Sequence, residues 1–241
     1  MIASRFRFIS SLCLSGAIFV VAGAILGGCG GGNNGSGGNS PAPVTALRVA
    51  CVGDSITFGF GSPQPYPSIL SDLLGRPFKV SNFGVSGATI LGGGSGAFRG
   101  KAAYAEALAF NPDIVVIELG TNDSDRSLDA ALQAQFVSDY KDFVAAFARN
   151  AGALGRPKPR IFACTPPASY PTDALRNRVN RAIIAPLIEQ AARESGVPTI
   201  DLFTPLSNQP RLFPDGVHPH LEGARKIAAV VAKAIKTPVT P

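Results

Sequence analysis

Charge is scarce in this chain. Charged residues make up 16% of its 241 positions, against about a quarter in ordinary soluble domains. The first 46 residues hold Arg5 and Arg7 and no acid. No run of Lys or Arg gathers into a stripe, so a net charge of +6 gives no footprint for nucleic acid. Without those two arginines, the 20 basic and 16 acidic residues that remain describe a mildly basic solvated surface. Histidine is scarcer still. There are two, His218 and His220, and any mechanism that needs an imidazole must use one of them. They stand at His-x-His spacing with no third ligand cluster, so neither a metal nor another cofactor is implied. Internal repeats are absent, and the length suits one sizeable core rather than two ordinary domains with linkers.

What the N-terminus does contain is informative. Arg5 and Arg7 precede an apolar, small-residue stretch from Ile9 to Leu26, followed by Gly27-Gly28-Cys29. A positive segment followed by an apolar one reads as an export signal. Leu-Gly-Gly-Cys resembles the bacterial lipoprotein signal, in which the Cys is lipidated and becomes the first residue. The other reading is an uncleaved anchor, since about 18 apolar residues just span a bilayer. Either attaches the protein to a membrane with its body outside the cytoplasm. Residues 1–28 are thus expected to be a signal peptide, Cys29 the lipidation site, 29–45 a tether and 46–241 the folded domain. The tether, "GGGNNGSGGNSPAP" at its centre, has no apolar residue larger than Ala and cannot order itself. Its typical reach is about 20 Å for roughly 15 residues. Gly30 stands where an Asp often retains lipoproteins at the inner membrane, which points to an outer membrane, facing periplasm or cell surface.

From residue 46 short apolar runs alternate with helical patterns. Strands are expected at Leu47–Val52, Phe78–Asn82, Ile114–Leu119, Arg160–Cys164 and Pro198–Leu202. Helices are expected near Tyr66–Leu74, Gly100–Phe110, Ala130–Arg149, Ala174–Ser195 and Leu221–Lys236. Strands apolar on both faces suit a parallel sheet covered on each side, hence an open α/β sandwich. Polar, Gly-rich sequence follows the first three strands: Gly53-Asp-Ser, Gly84-Val-Ser-Gly and Gly120-Thr-Asn-Asp. Loops at the carboxyl ends of parallel strands line the ligand crevice. Gly92–Gly96 borders it or is a surface excursion.

Ser55, in "VGDSITFG", has three readings. A helix cap is the ordinary one. A phosphate cradle needs Gly-x-x-x-x-Gly-Lys-Ser/Thr, and no Lys is near. A nucleophile needs a base, a group that orients the base, and donors for an oxyanion. His218 supplies the base, and Asp215, three residues earlier in a Pro/Gly-bounded turn, can orient its ring. The Ser55 and Gly84 N–H groups and the Asn122 amide supply donors. Asp54 and Asp123 fit turn-bracing acceptors of loop N–H groups, and His220 a surface residue or helix start. Arg99, Arg126 and Arg211 are basic residues near the crevice without an assigned role.

With these residues the chain resembles an SGNH, or GDSL-type, hydrolase. "GDS" at 53–55, "NFGVSG" at 82–87, "GTND" at 120–123 and "DGVHP" at 215–219 match the family's four blocks in order. Ile56 replaces the usual Leu, a volume-conserving change. No Gly-x-Ser-x-Gly elbow surrounds Ser55, which disfavours the α/β-hydrolases. The resemblance implies a flavodoxin-like three-layer sandwich with five parallel strands in the order 2-1-3-4-5. It also implies Ser55 as nucleophile, His218 as base, Asp215 as its orienting acid, and Ser55, Gly84 and Asn122 as oxyanion donors. In that topology Cys51 and Cys164 stand two strand spacings apart, roughly 10 Å, beyond disulfide reach, so two buried free thiols are expected. The segment from Asp201 to Ala228 resembles members that remove acetyl groups from carbohydrates, such as sialic acid or xylan. The expected substrate is an acyl ester, an acetylated carbohydrate first. A lysophospholipase or thioesterase-like lipid hydrolase is the alternative, and a non-catalytic glycan-binding lipoprotein a third reading.

Overall fold

A computed structural model describes residues 45–125, 128–170 and 174–238. The expected export signal, Cys29, the expected tether up to residue 44 and Arg126 lie outside the described residues. Five strands form one parallel sheet: β1 (Leu47–Gly53), β2 (Phe78–Gly84), β3 (Ile114–Glu118), β4 (Arg160–Cys164) and β5 (Thr199–Ile200). Their order is β2-β1-β3-β4-β5, as the resemblance implies. The helices are α1 (Ser55–Phe58), α2 (Tyr66–Leu74), α3 (Ala102–Ala109), α4 (Ala130–Ala153), α5 (Ala174–Val179), α6 (Ala185–Ser195), α7 (Phe203–Leu206) and α8 (Leu221–Lys236).

The period of two along each strand divides the core into two layers. Ala50, Val52, Val115 and Ile117 face one side, where Phe136, Tyr140, Phe143 and Phe147 of α4 pack with Ile188 and Ala191 of α6. Val49, Cys51, Val116 and Phe162 face the other, against Tyr66 and Leu70 of α2 and Ile227, Val231 and Ile235 of α8. Central strands buried on both faces read as unbroken apolar runs, which is why β1 and β3 are plain in the sequence. Cys51 and Cys164 are buried and free. Desolvation pushes the Cys51 thiol up to about 12, so it is inert as a nucleophile.

One expected helix differs. The stretch from Ala174 to Ser195 is α5, a π-helical turn at Asn180–Ile184, and then α6. Pro186 has no N–H to offer the carbonyl four residues back, and the chain widens just before it. The His220 side chain caps α8, accepting from the Gly223 N–H at 3.4 Å. No helix among the described residues is long and apolar enough to cross a membrane.

Candidate active site

The apolar run of β1 ends at Gly53 because nothing larger fits. A Cβ there would lie 2.0 Å from Thr57 Oγ1 and 2.5 Å from the Glu118 carbonyl. The chain turns directly into α1, with Asp54 as cap: its Oδ1 accepts the Ile56 N–H at 2.9 Å. Gly59, at φ 100°, ends the helix after one turn and returns its N–H to the Ser55 carbonyl at 3.0 Å. Ser55 is thus held in the first turn of a short helix, 8% exposed.

The histidine arrives from the far end of the sequence. The turn before α8 is fixed by Gly216 N–H donating to Phe213 O at 2.9 Å, and by Tyr170 N–H donating to Gly216 O at 2.7 Å. Asp215 folds back on its own turn, Oδ1 accepting from the N–H groups of His218 at 2.7 Å and Val217 at 2.9 Å. Its Oδ2 lies 2.6 Å from His218 Nδ1, and His218 Nε2 lies 2.8 Å from Ser55 Oγ. A carboxylate at Nδ1 fixes the proton there, which leaves the Nε2 lone pair facing the serine hydroxyl. Burial raises the Asp215 pKa, but donation from the His218 N–H, the His218 ring and the Val217 N–H outweighs it, and the carboxyl stays below its ordinary value. Phe60, on the loop after α1, lays its ring 4.5 Å from the His218 ring, centroid to centroid, while remaining 53% exposed.

The expected oxyanion donors divide. Asn122 lies in a 3-10 turn after β3 and donates one amide hydrogen to Ala88 O at 2.9 Å, and its second hydrogen has no acceptor among the described residues. The Ser55 N–H, at the first position of α1, has no acceptor among the described residues. Gly84 departs from expectation. Its N–H is committed to Asn82 Oδ1 at 2.8 Å, and a Cβ on it would stand 2.1 Å from Phe58 N. It is a packing glycine that lets α1 lie on the end of β2. Gly87, in the same block, has a left-handed φ of 75°, an N–H with no acceptor among the described residues, and open space around it. It precedes the carbonyl that anchors Asn122. The sequence shows two glycines in "NFGVSG" and does not tell them apart.

Beneath α1 sits a buried acidic cluster. Asp123 accepts the N–H groups of Ile90 at 3.0 Å and Leu91 at 2.9 Å, bracing the loop as expected. Glu118 Oε2 accepts the Thr57 hydroxyl at 3.0 Å. Desolvation pushes Asp54 up to about 7 and Glu118 well above its ordinary value, and repulsion from Asp54 raises Glu118 further. Asp54 Oδ2 and Glu118 Oε1 are both buried without a donor. A proton kept on Glu118 supplies one, and the two carboxyls do not both ionise at neutral pH. The sequence reading missed Glu118, the Asn82 clamp and Phe60. It also missed Arg176 of α5, which donates to Thr121 O at 3.1 Å and pairs with Asp125 at 2.7 Å. Arg99 is turned to α4, on Asp139 O at 3.1 Å, and Arg211 faces Glu222 at 3.4 Å.

The profile of the GDSL-like lipase/acylhydrolase family matches residues 51–226. The chain belongs to this family. It is 37% identical over 215 residues to an acetylxylan esterase of Xylanibacter ruminicola, an alignment covering 81% of this chain and 45% of that protein. It therefore spans less than half the length of that relative. Among solved structures it is similar to the M. smegmatis aryl esterase, with a TM-score of 0.61 at 21% identity, covering 79% of this chain and 99% of that one. Est24, a carbohydrate acetylesterase from Sinorhizobium meliloti, gives 0.61 at 21% over 78% and 98%. Axe2, an acetylxylan esterase from Geobacillus stearothermophilus, gives 0.58 at 22% over 80% and 96%. At such identities these three establish the fold.

Proposed function

We propose that this GDSL-family chain is a serine esterase that hydrolyses short-chain acyl esters, acetylated carbohydrates before others. The observation that carries it is the unbroken run of hydrogen bonds from Ser55 through His218 to Asp215. His218 Nε2 takes the hydroxyl proton as Ser55 Oγ attacks the ester carbonyl. Asp215 stabilises the imidazolium. The Ser55 N–H, the Gly87 N–H and the Asn122 amide receive the oxyanion, with Gly87 in the role first expected of Gly84. The protonated ring then delivers its proton to the leaving alcohol. Water, deprotonated by the same nitrogen, cleaves the acyl-enzyme and returns Ser55. Asp54 and Glu118 hold the turn from below and touch no reacting atom.

The acetyl-carbohydrate reading draws support from the Xylanibacter ruminicola relative. The half-exposed Phe58 and Phe60 beside the serine favour a second reading, in which an acyl chain of a lipid lies on these rings. The test compares p-nitrophenyl acetate with p-nitrophenyl octanoate and then measures acetate release from acetylated xylan and O-acetyl sialic acid. Preference for the acetate ester and release from a glycan are expected. Preference for octanoate would favour the lipid reading, and no turnover by folded protein a binding module. The lipid anchor at Cys29 belongs to the same proposal. Mass spectrometry of the membrane-bound protein should find an N-terminal acylated Cys29, and Cys29→Ala should release the domain from the membrane fraction.

A further inference from the structure

A cavity of about 650 Å³ opens between the chain after β4, α5, the π-helical turn and the segment around α7. Its size is that of a site for a small organic ligand. Two hydrogen bonds tie its walls to the catalytic loops. Tyr170, on one wall, donates its N–H to Gly216 O, one residue from Asp215. Arg176, on the helix that forms the other, holds the carbonyl of Thr121, one residue from Asn122. A ligand in this cavity therefore lies against a residue bonded to the loop that carries the base, and beside the helix that holds the oxyanion loop.

The lining is charged with one sign. Among the described residues, Arg178 and Arg181 face the cavity and no acid does. Both are exposed, and neither has a carboxylate partner among the described residues, whereas their neighbour Arg176 is paired with Asp125. Arg178 lies in the last turn of α5 and Arg181 in the π-helical turn, and both line the one cavity, where an anion can meet both. The Arg181 guanidinium is set over the Phe203 ring at 5.6 Å, which leaves its edge free for a planar, bidentate acceptor. Beside them are neutral polar groups. Asn177 spends its Oδ1 on the Ser169 N–H at 3.0 Å and keeps its amide hydrogens. Asn208 adds a second amide from a left-handed backbone at φ 58°. That conformation and the π-helical turn are uncommon ones, of a kind that clusters at functional sites. Guanidiniums for a carboxylate, with amides for hydroxyls, describe the groups of an acidic sugar.

We infer that this cavity is a subsite for a carboxylate-bearing sugar, a hexuronate residue of an acetylated glycan, held by Arg178 and Arg181 beside the ester being cleaved. The inference rests on the esterase reading for its consequence but not for its binding. The first measurement titrates the wild-type protein and the R178Q/R181Q double variant with unacetylated xylo-oligosaccharides, with and without a glucuronate branch. Removing both guanidiniums, and with them the charge-assisted hydrogen bonds to the carboxylate, should weaken binding of the branched compound about tenfold or more. Wild type should prefer the branched compound over the neutral one. The second compares kcat/KM on acetylated forms of the same two oligosaccharides. The wild-type ratio should favour the uronate-bearing ester, and the double variant should bring that ratio to about one. Thermal melts confirm that the variant is folded. Equal binding of both oligosaccharides by wild type overturns the inference, as does a preference that survives in the double variant. Tighter binding of glycerol phosphate than of the glucuronate compound overturns it in favour of a lipid headgroup. Arginine-dependent binding without turnover of either acetylated glycan supports the subsite and sinks the esterase reading alone.

Discussion

Asn122→Ala separates a catalytic donor from a structural one. In the structure the Asn122 side chain is pinned by one hydrogen to Ala88 O at 2.9 Å, so its other hydrogen is oriented before any substrate arrives. A donor that needs no reorganisation contributes fully to the transition state, and removing one of this kind costs about 2.7–4 kcal/mol, or roughly a hundred- to a thousandfold in kcat. The variant also leaves the carbonyl of buried Ala88 without its donor, a loss of about 1–3 kcal/mol in stability. The two effects are read apart. Steady-state hydrolysis of p-nitrophenyl acetate should show the fall in kcat with KM little changed, since the oxyanion forms only in the transition state. A denaturant titration should show the smaller loss. A kcat within tenfold of wild type, or a loss carried by KM, would refute the assignment of Asn122 to the oxyanion.

Other consequences are more compact. Gly84→Ala should fail to give soluble protein, because a Cβ at 2.1 Å from Phe58 N displaces the helix that carries Ser55. Gly87→Ala, whose Cβ meets nothing within 4 Å, should fold with about 1–2 kcal/mol of backbone strain; normal folding of the first, or misfolding of the second, read by soluble yield and denaturant titration, counts against the division of roles. Phe60→Ala should lower kcat more than it changes KM, since the ring packed on His218 limits the motion of the imidazole, while Phe60→Tyr should restore the wild-type kcat. The native Asp54 keeps its proton up to about pH 7, whereas the unfolded chain releases it near pH 4. The stabilisation from that proton is complete below about pH 4 and is lost as pH rises towards 7. Melting temperatures across this range should fall less steeply for Asp54→Asn, which keeps the cap; an unchanged slope would show that the buried pair does not hold the proton. Asp215 acts in the opposite sense, its contribution being lost only as pH falls below its ordinary carboxylate value.

The sheet was legible because central parallel strands are apolar on both faces. The stretches Ala50-Cys51-Val52 and Val115-Val116-Ile117 leave no other use for so many buried side chains, and the order followed from the family resemblance. The meeting of Ser55, His218 and Asp215 was legible because two histidines leave few choices, and one has an acid three residues before it. What escaped is three-dimensional in origin. Gly84 and Gly87 are equal as letters and differ in what a Cβ would strike. The break at Pro186 had a signal in the sequence, but nothing there says that the turn before it opens to five-residue spacing. Glu118 reads as the polar end of an apolar strand, and its protonation follows from burial and from a second carboxyl, Asp54, at the cap of α1. Arg178 and Arg181 look like solvated helix charges until the walls opposite them are known.

The central claim is that the hydroxyl of Ser55 is made nucleophilic by His218. Active-site titration with a p-nitrophenyl phosphonate ester tests it most directly, with the site of attachment read by peptide mass spectrometry. One equivalent of p-nitrophenol should be released as activity disappears, the phosphonyl mass should reside on Ser55, and Ser55→Ala and His218→Ala should neither react nor turn over substrate. Label on another residue, or hydrolysis that persists in Ser55→Ala, would contradict the account.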